Sequence, residues 1–520
     1  MILVLVLALG GAIAAAEDAA LDGLPIVRIV FDRHDIFDTS DPKTSSWPYR
    51  AANSLHIRSR ETFLRSMLLF REGDAYSAKV AEESARLLRS LGFINPVYIT
   101  ADKVDGGVEV TVETRDQWSL QVGADAGLSG NRGNYGFQLQ EENLVGWGKE
   151  LTLSYESDVE RDSWGIRYRD PNIAGSRWTA HLAYQDRSDG SLERVRFERP
   201  FYALETSRSW GGWWESESLT EYLYSESESV VEGARRTRLA RAWGGLRLGG
   251  PGSLTKRLTL GWEQRQATYR DWRHSDTGQP YPQPEDLEIS GPRIGYSQIT
   301  DNYQVVTGFR AWSAQEDIAL GPNFDINLVW SEPTFGGDIR RVVIDGTFHV
   351  AWHPGRWLLL GDAWLGGRLD EGRAHNVVVG VQATAAQIGE RGFQFRLLFE
   401  TSHGLDLDRQ LTLGADIGLR GWDPDYFDGT GRALVNLQWR RILFRDVLEL
   451  FSVGAEVFTD AGRTWDPRVG RDTDGVRADA GVGLVFDLSR FSTSNILRAE
   501  IAWPDDGSGY VISLTGQSLF

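Results

Sequence analysis

The feature that most constrains this chain is a two-residue alternation of apolar and polar side chains that runs from Gln117 to Phe520. Leu151, Leu153 and Tyr155 alternate with Thr152, Ser154 and Glu156. Ala433, Val435, Leu437 and Trp439 alternate with Asn436, Gln438 and Arg440, and Ala480, Val482, Leu484 and Phe486 with Asp479, Gly481, Gly483 and Asp487. A period of two sends successive side chains to opposite faces of a β-strand. Gly, Asp and Asn clusters interrupt the pattern, and the helical period is missing. A water-soluble sandwich buries its apolar faces between two packed sheets. Here too much strand carries one strongly polar or small-residue side, and Trp147, Trp164, Trp178, Trp210, Trp352, Trp357 and Trp439 fall near strand ends. The pattern fits a transmembrane antiparallel β-barrel, with a lipid-facing apolar surface, a polar lumen and aromatic girdles. At ~10–12 residues per tilted strand plus connections, these roughly 400 residues give about 16 strands. A soluble all-β array is the rival reading.

Composition narrows the classes further. A mean hydropathy of −0.33, with no apolar run of ~18 residues after the leader, excludes a helical membrane bundle. The chain has 57 Gly and 20 Trp against 17 Pro and 2 Met, which suits a tight-turned β protein. A net charge of −18 argues against a nucleic-acid partner, whose phosphates need a basic face. The absence of cysteine excludes a disulfide scaffold and a thiolate site. Residues 1–16, MILVLVLALGGAIAAA, read as a signal peptide with small residues before Glu17-Asp18, although no Lys or Arg opens it. A buried N-terminal helix is the alternative. The chain is therefore expected to be exported.

Residues 24–116 mix both periods. Val27, Ile29 and Phe31 share one strand face, and a polar loop from Arg33 to Arg58 follows. Phe63, Met67 and Phe70 share a helical face after Ser59, and Gly73 stops that helix. Ser77 caps a second helix, Ala78 to Leu91, which Gly92 ends. Strands at Val97–Thr100 and Gly107–Glu113 complete a small α+β unit of order β-α-α-β-β. The expected organisation is thus a signal peptide (1–16), a small α+β domain (24–116) and a barrel (117–520). Asp158–Asp162 and Gln185–Gly190 read as short loops, and Tyr269–Glu288, Leu405–Arg432 and Arg463–Val476 as long ones facing outward.

Three stretches resemble the BamA/TamA family of outer-membrane assembly factors. LLFREGDAYSAKVAEESARLLRSLGFINPVYI (Leu68 to Ile99) is similar to the core of that family's POTRA domain. LTLGADIGLRGWDPDYFDGTGRALVNLQWR (Leu411 to Arg440) resembles its lumen loop, with Leu419, Arg420, Gly421 and Trp422 in place of a V-R-G-F/Y tetrad. FTDAGRTW (Phe458 to Trp465) precedes LRAEIAWP (Leu497 to Pro504) and a last strand ending in Phe520. The resemblance implies a chain with a single periplasmic POTRA domain, fewer than the principal assembly factor carries, and a 16-stranded barrel.

It also implies roles for particular residues. Arg420 would anchor the loop inside the barrel through its planar fork, with a carboxylate on the lumen wall as partner. Asp460, within Phe458, Asp460 and Gly462, is the candidate, and Gly421 would permit a tight loop tip. The alternative is an exposed turn arginine. A seam between the first strand (Trp118 to Leu128, with Gly123 and Gly127) and the last (Tyr510, Ile512, Leu514, Gly516, Phe520) would open to admit a client strand. Glycines that relieve curvature are an equal reading. The small domain offers a second edge, at Val97–Thr100 or Val108–Thr114.

No G-x-S-x-G, H-E-x-x-H or P-loop pattern occurs, so no enzyme is expected. His349 and His353 make a weak metal pair, and Asp472–Gly475 and Asp425–Gly431 lack a full calcium ligand ladder. No cofactor or metal is expected. The expected function is assistance in inserting or exporting envelope proteins at the bacterial outer membrane. Lipids, unfolded clients and a periplasmic protein are the expected partners. A transport pore with a periplasmic docking domain is the rival.

Overall fold

The computed structural model describes residues 21–129, 132–158, 160–249, 254–470, 472–491 and 496–516. The expected signal peptide and Phe520 lie outside them.

The N-terminal unit contains β1 (Ile26–His34), α1 (Trp47–Leu55), α2 (Glu61–Met67), α3 (Ala78–Arg89), β2 (Ile94–Val104) and β3 (Gly107–Asp116). Phe63, Leu64 and Met67 of α2 and Leu88 of α3 pack on Val108, Val110 and Val112 of β3, all of them buried. The sheet order is β1-β3-β2, with β1 parallel and β2 antiparallel to β3. β3 is therefore central, so Val108–Thr114 is no free edge, and β2 and β1 are the edges. Helix α1 stands where a polar loop was expected. It buries no residue, so no apolar stripe announced it. Pro48 in its first turn and Asn53, which bonds both Phe37 N (3.1 Å) and Phe37 O (2.8 Å), fix it instead.

The rest of the described chain closes into a barrel of 20 strands. Its first strands are β4 (Leu120–Ser129), β5 (Arg132–Glu141), β6 (Glu150–Ser157), β7 (Asp162–Asp170), β8 (Thr179–Arg187) and β9 (Gly190–Arg199). Then come β10 (Arg208–Ser225), β11 (Glu228–Leu248), β12 (Leu254–His274) and β13 (Leu287–Thr300). β14 (Tyr303–Thr307) and β15 (Gln315–Ala319) form a separate hairpin. The wall resumes with β16 (Asn323–Ser331), β17 (Arg341–Trp352), β18 (Trp357–Asp370), β19 (Arg373–Gln387) and β20 (Arg391–His403). It ends with β21 (Gly431–Val447), β22 (Phe451–Trp465), β23 (Arg477–Asp487), β24 (Ile496–Pro504) and β25 (Val511–Thr515), and β25 pairs with β4. The strand number exceeds the expected 16 because connections are minimal. Ser188-Asp189, Glu226-Ser227 and Glu371-Gly372 alone join strands, and β6 needs only 8 residues.

Alternation translates directly into faces. Asn436 and Gln438 are fully buried on the lumen side, whereas Leu437 is 41% exposed on the outside. Val122, Leu153, Phe395, Val457 and Val482 are likewise exposed. So continuous an apolar exterior cannot face water, which removes the soluble array and leaves a lipid-facing wall.

The connections 142–149, 171–178 and 200–207 dock on the α+β unit. Arg60 N donates to Gly146 O (2.9 Å), Asn172 Nδ2 to Ser66 O (3.2 Å) and Leu204 N to Glu83 Oε1 (2.6 Å). Burial pushes the Glu83 carboxyl above its usual range. Trp147, Trp178, Trp210, Trp352 and Trp357 ring this proximal end, with Trp178 stacked on Phe197 at 4.6 Å. Loop lengths do not separate the two ends. The short 158–161 and 226–227 turns sit at the distal end with the long 404–430 loop, where Glu226 N donates to Tyr426 O (2.9 Å). A long connection, 301–322, lies at the proximal end. Loop length reads orientation only when every short turn serves one side, and here tight hairpins serve both.

Candidate functional site

The 404–430 loop leaves β20 at the distal end and turns inward as a hairpin, with Leu411 N on Gly429 O (2.8 Å) and Leu413 N on Phe427 O (2.9 Å). Leu413, Leu419, Trp422 and Phe427 bury themselves against Leu398 and Leu434 of the wall. That apolar contact brings the loop tip to the polar stripe of β21–β24.

There Arg420 meets a built receptor. Its Nε and Nη2 donate to Asp460 Oδ2 (2.8 Å) and Oδ1 (3.0 Å), and its Nη1 to Glu500 Oε1 (2.9 Å) and Gln438 Oε1 (3.2 Å). The guanidinium lies over the Phe458 ring, 3.4 Å from its centroid. Asn436 Nδ2 ties Asp460 Oδ1 (2.7 Å) to the loop's Gly418 O (2.6 Å). Gly421 N donates to Asp479 Oδ2 (2.8 Å). A Cβ at Gly421 would stand 2.5 Å from Asp479 Cβ, and one at Gly462 would stand 2.9 Å from Leu413 Cδ2. Both glycines answer to close approach rather than to a left-handed turn, for neither has positive φ. Arg498 Nη1 reaches Glu456 Oε2 (3.3 Å) beside this cluster.

Reasoning from the sequence missed Gln438, Asn436, Glu456, Asp479, Arg498 and Glu500. The signal was present: Asn436, Gln438 and Arg440, like Arg498 and Glu500, are polar at period two on strands whose other face meets lipid.

A second assembly, also unforeseen, lies at the proximal mouth. The hairpin β14–β15 hangs its 308–313 tip on the wall. Arg440 donates from Nη2 to Gly308 O (3.0 Å), from Nη1 to Arg310 O (3.0 Å), and to Phe309 O. Asp487 Oδ2 accepts Trp312 N (2.8 Å) and Ser313 N (2.9 Å). Phe309 is buried with Ala351, Leu358 and Ala386. The hairpin's other side grips the α+β unit: Arg89 of α3 is bidentate on Asp317 (2.8 and 2.7 Å), and Asn95 of β2 exchanges bonds with Gln315 O (3.0 Å) and N (3.3 Å).

The seam is thin among the described residues. There β25 pairs with β24 from Val511 to Thr515, while β11 and β12 are 21 residues each. Ile512 and Leu514 point outward and are exposed, as is Tyr510 just before the strand; Ser513 Oγ donates inward to Glu500 Oε2 (3.3 Å). Gly516 follows the strand. Gly123 and Gly127 lie on β4 opposite Gln138 and Asn134. A Cβ at Gly123 would make only an ordinary 3.6 Å contact, so packing does not impose this glycine. The first barrel strand begins at Leu120; Trp118 forms an isolated bridge to Phe491.

His349 and His353 do not come together. His349 Nδ1 faces Asp362 Oδ1 at 2.7 Å, and His353 lies beyond the end of β17. Among the described residues no group of three or more His, Cys, Asp or Glu is placed to hold a metal.

No protein-family model matches the chain. Over 164 residues, 30% of its length, the chain is 28% identical to the outer membrane protein assembly factor BamA of Neorickettsia risticii (strain Illinois), covering 22% of that protein. It therefore spans about a fifth of the length of this curated relative. Among solved structures, CdiB from Acinetobacter baumannii aligns over 95% of this chain and 73% of its own at 11% identity and a TM-score of 0.46. BamA from Haemophilus ducreyi lacking POTRA domains 1–3 aligns over 94% and 83% at 14% identity and a TM-score of 0.39. The sequence match, together with the lipid-facing barrel and its small α+β unit, supports a likeness of this chain to the BamA/TamA superfamily of outer-membrane β-barrel proteins.

Proposed function

We propose that this protein assists the insertion of other proteins into the outer membrane, or their export across it, by lending the edge of its own barrel. The observation that carries this reading is the seam, where a five-residue β25 closes a wall whose other strands reach 21 residues. Few backbone bonds hold that closure, so opening it is the least costly way to expose a strand edge. An incoming extended segment pairs with such an edge by β-augmentation. The α+β unit, on the periplasmic side, would present β2 as a first edge to clients or to a periplasmic partner protein. Its Arg89 and Asn95 contacts with the hairpin would relay its position to the barrel. The Arg420 loop holds the lumen wall while the seam works, and no catalytic chemistry or cofactor enters. Two inward segments, the 404–430 loop and the 308–313 tip, favour this reading over a standing transport pore.

The test uses the absence of native cysteine. One cysteine in 120–123 and one in 511–515, scanned for the pair that crosslinks, lock the seam. In cells depleted of the native chain, the oxidised variant is expected to lose client assembly and the reduced one to retain it. Full assembly by the locked protein would refute seam opening.

A further inference from the structure

We propose that the outer wall carries a binding site for the phosphodiester headgroup of a membrane phospholipid, built by Arg356, Arg391 and Arg441 at the proximal rim. The inference rests on the barrel facing lipid and is independent of seam opening. Arg391 and Arg441 stand directly opposite each other across β20 and β21. Both belong to the outward set: Phe393, Phe395 and Leu397 follow Arg391 at period two, and Trp439 and Leu437 precede Arg441, while Gln394 and Gln438 between them are buried toward the lumen. The next outward pair toward the bilayer is Phe393–Trp439. The two guanidinium groups thus sit one step outside an aromatic pair, at the depth where headgroups meet the hydrocarbon. Arg356, from the β17–β18 turn, donates Nη2 to Arg391 O (3.3 Å). With Glu390 and Ile442 these arginines line an open cavity of about 440 Å³.

The charge balance points to an anion. Like charges directly opposite on neighbouring strands destabilise a sheet. The only carboxylate lining the cavity, Glu390, is held by Arg445 Nη2 at 2.5 Å. Among the described residues the Arg391 and Arg441 side chains make no hydrogen bond or ion pair with the protein. A phosphodiester offers two unesterified oxygens to such forks, and its acyl chains would lie along Phe393, Phe395 and Leu437. A free phosphate satisfies the charges but leaves that apolar wall unused.

The experiment is native mass spectrometry of the full chain in neutral detergent, with phosphatidylglycerol and diacylglycerol of the same acyl chains as probes. The wild type is expected to retain phosphatidylglycerol in preference to diacylglycerol. R391Q/R441Q, checked for folding by heat-modifiable gel mobility, should weaken that retention roughly tenfold. Inorganic phosphate at the lipid's concentration should not displace it. Equal retention of the two lipids by the wild type, a reading that needs no variant, would overturn the proposal. So would unchanged retention by the folded double variant, or displacement by inorganic phosphate.

Discussion

R420A is expected to destabilise the docked loop by about 3–5 kcal/mol, the range for removing one partner of a buried ion pair. Asp460 and Glu500 are almost wholly buried; without the guanidinium Asp460 loses its cation, and Glu500 keeps only Arg498 Nη1 at 4.0 Å. Phe458 loses its stacked partner, and the apolar contacts of Leu419 and Trp422 must hold the loop alone. R420K keeps the charge but cannot reach Asp460 with two parallel bonds and Glu500 with a third. It should recover only part of the loss. Reversing the pair as R420D/D460R is not expected to restore the protein, because the new aspartate would face Glu500, the carboxylate that Arg420 binds at 2.9 Å. Urea unfolding in vesicles, read by gel mobility, checks the series. An R420A protein as stable as wild type would show the anchor to be dispensable.

R440A is expected to open the proximal mouth. Arg440 is among the largest fully buried side chains, and it spends its donors on the successive carbonyls of Gly308, Phe309 and Arg310. Hydrogen bonds from a charged donor contribute about 1.5–3 kcal/mol each. They do not add simply, and a net loss of about 3 kcal/mol or more is the expected scale. Asp487 and the buried Phe309 remain, so the tip should loosen rather than unfold the wall. In planar bilayers R440A should conduct measurably more than wild type, and protease added from the α+β side should cut within 307–315. Wild-type conductance and protection would show that the tip does not seal the mouth.

The two assemblies were unequally legible in the sequence. Alternation revealed the barrel because lipid on one side and polar lumen on the other impose period two on every strand. The number of strands stayed hidden, because turns as short as Ser188-Asp189 leave no loop signature to count. The order within the α+β sheet was equally invisible: nothing local tells that Val108–Val112 lies between the two other strands. The tetrad drew attention to Arg420 and to Asp460 as a candidate partner. Glu500, 80 positions away from Arg420, becomes its neighbour only through barrel register. Helix α1 has no buried face to give it a period. The 301–322 hairpin is a pair of five-residue strands, too short for alternation to stand out, and its role depends on Arg440 and Asp487 of distant strands.

The central claim is that lipid wets the outside of this barrel, and oxygen accessibility tests it most directly. Single cysteines at Leu153, Leu397, Leu437, Val457 and Val482, outward positions at least 40% exposed, would carry nitroxide labels in reconstituted bilayers. At all five, molecular oxygen should relax the label more than a water-soluble nickel chelate. Labels relaxed mainly by the chelate at these positions would contradict the account.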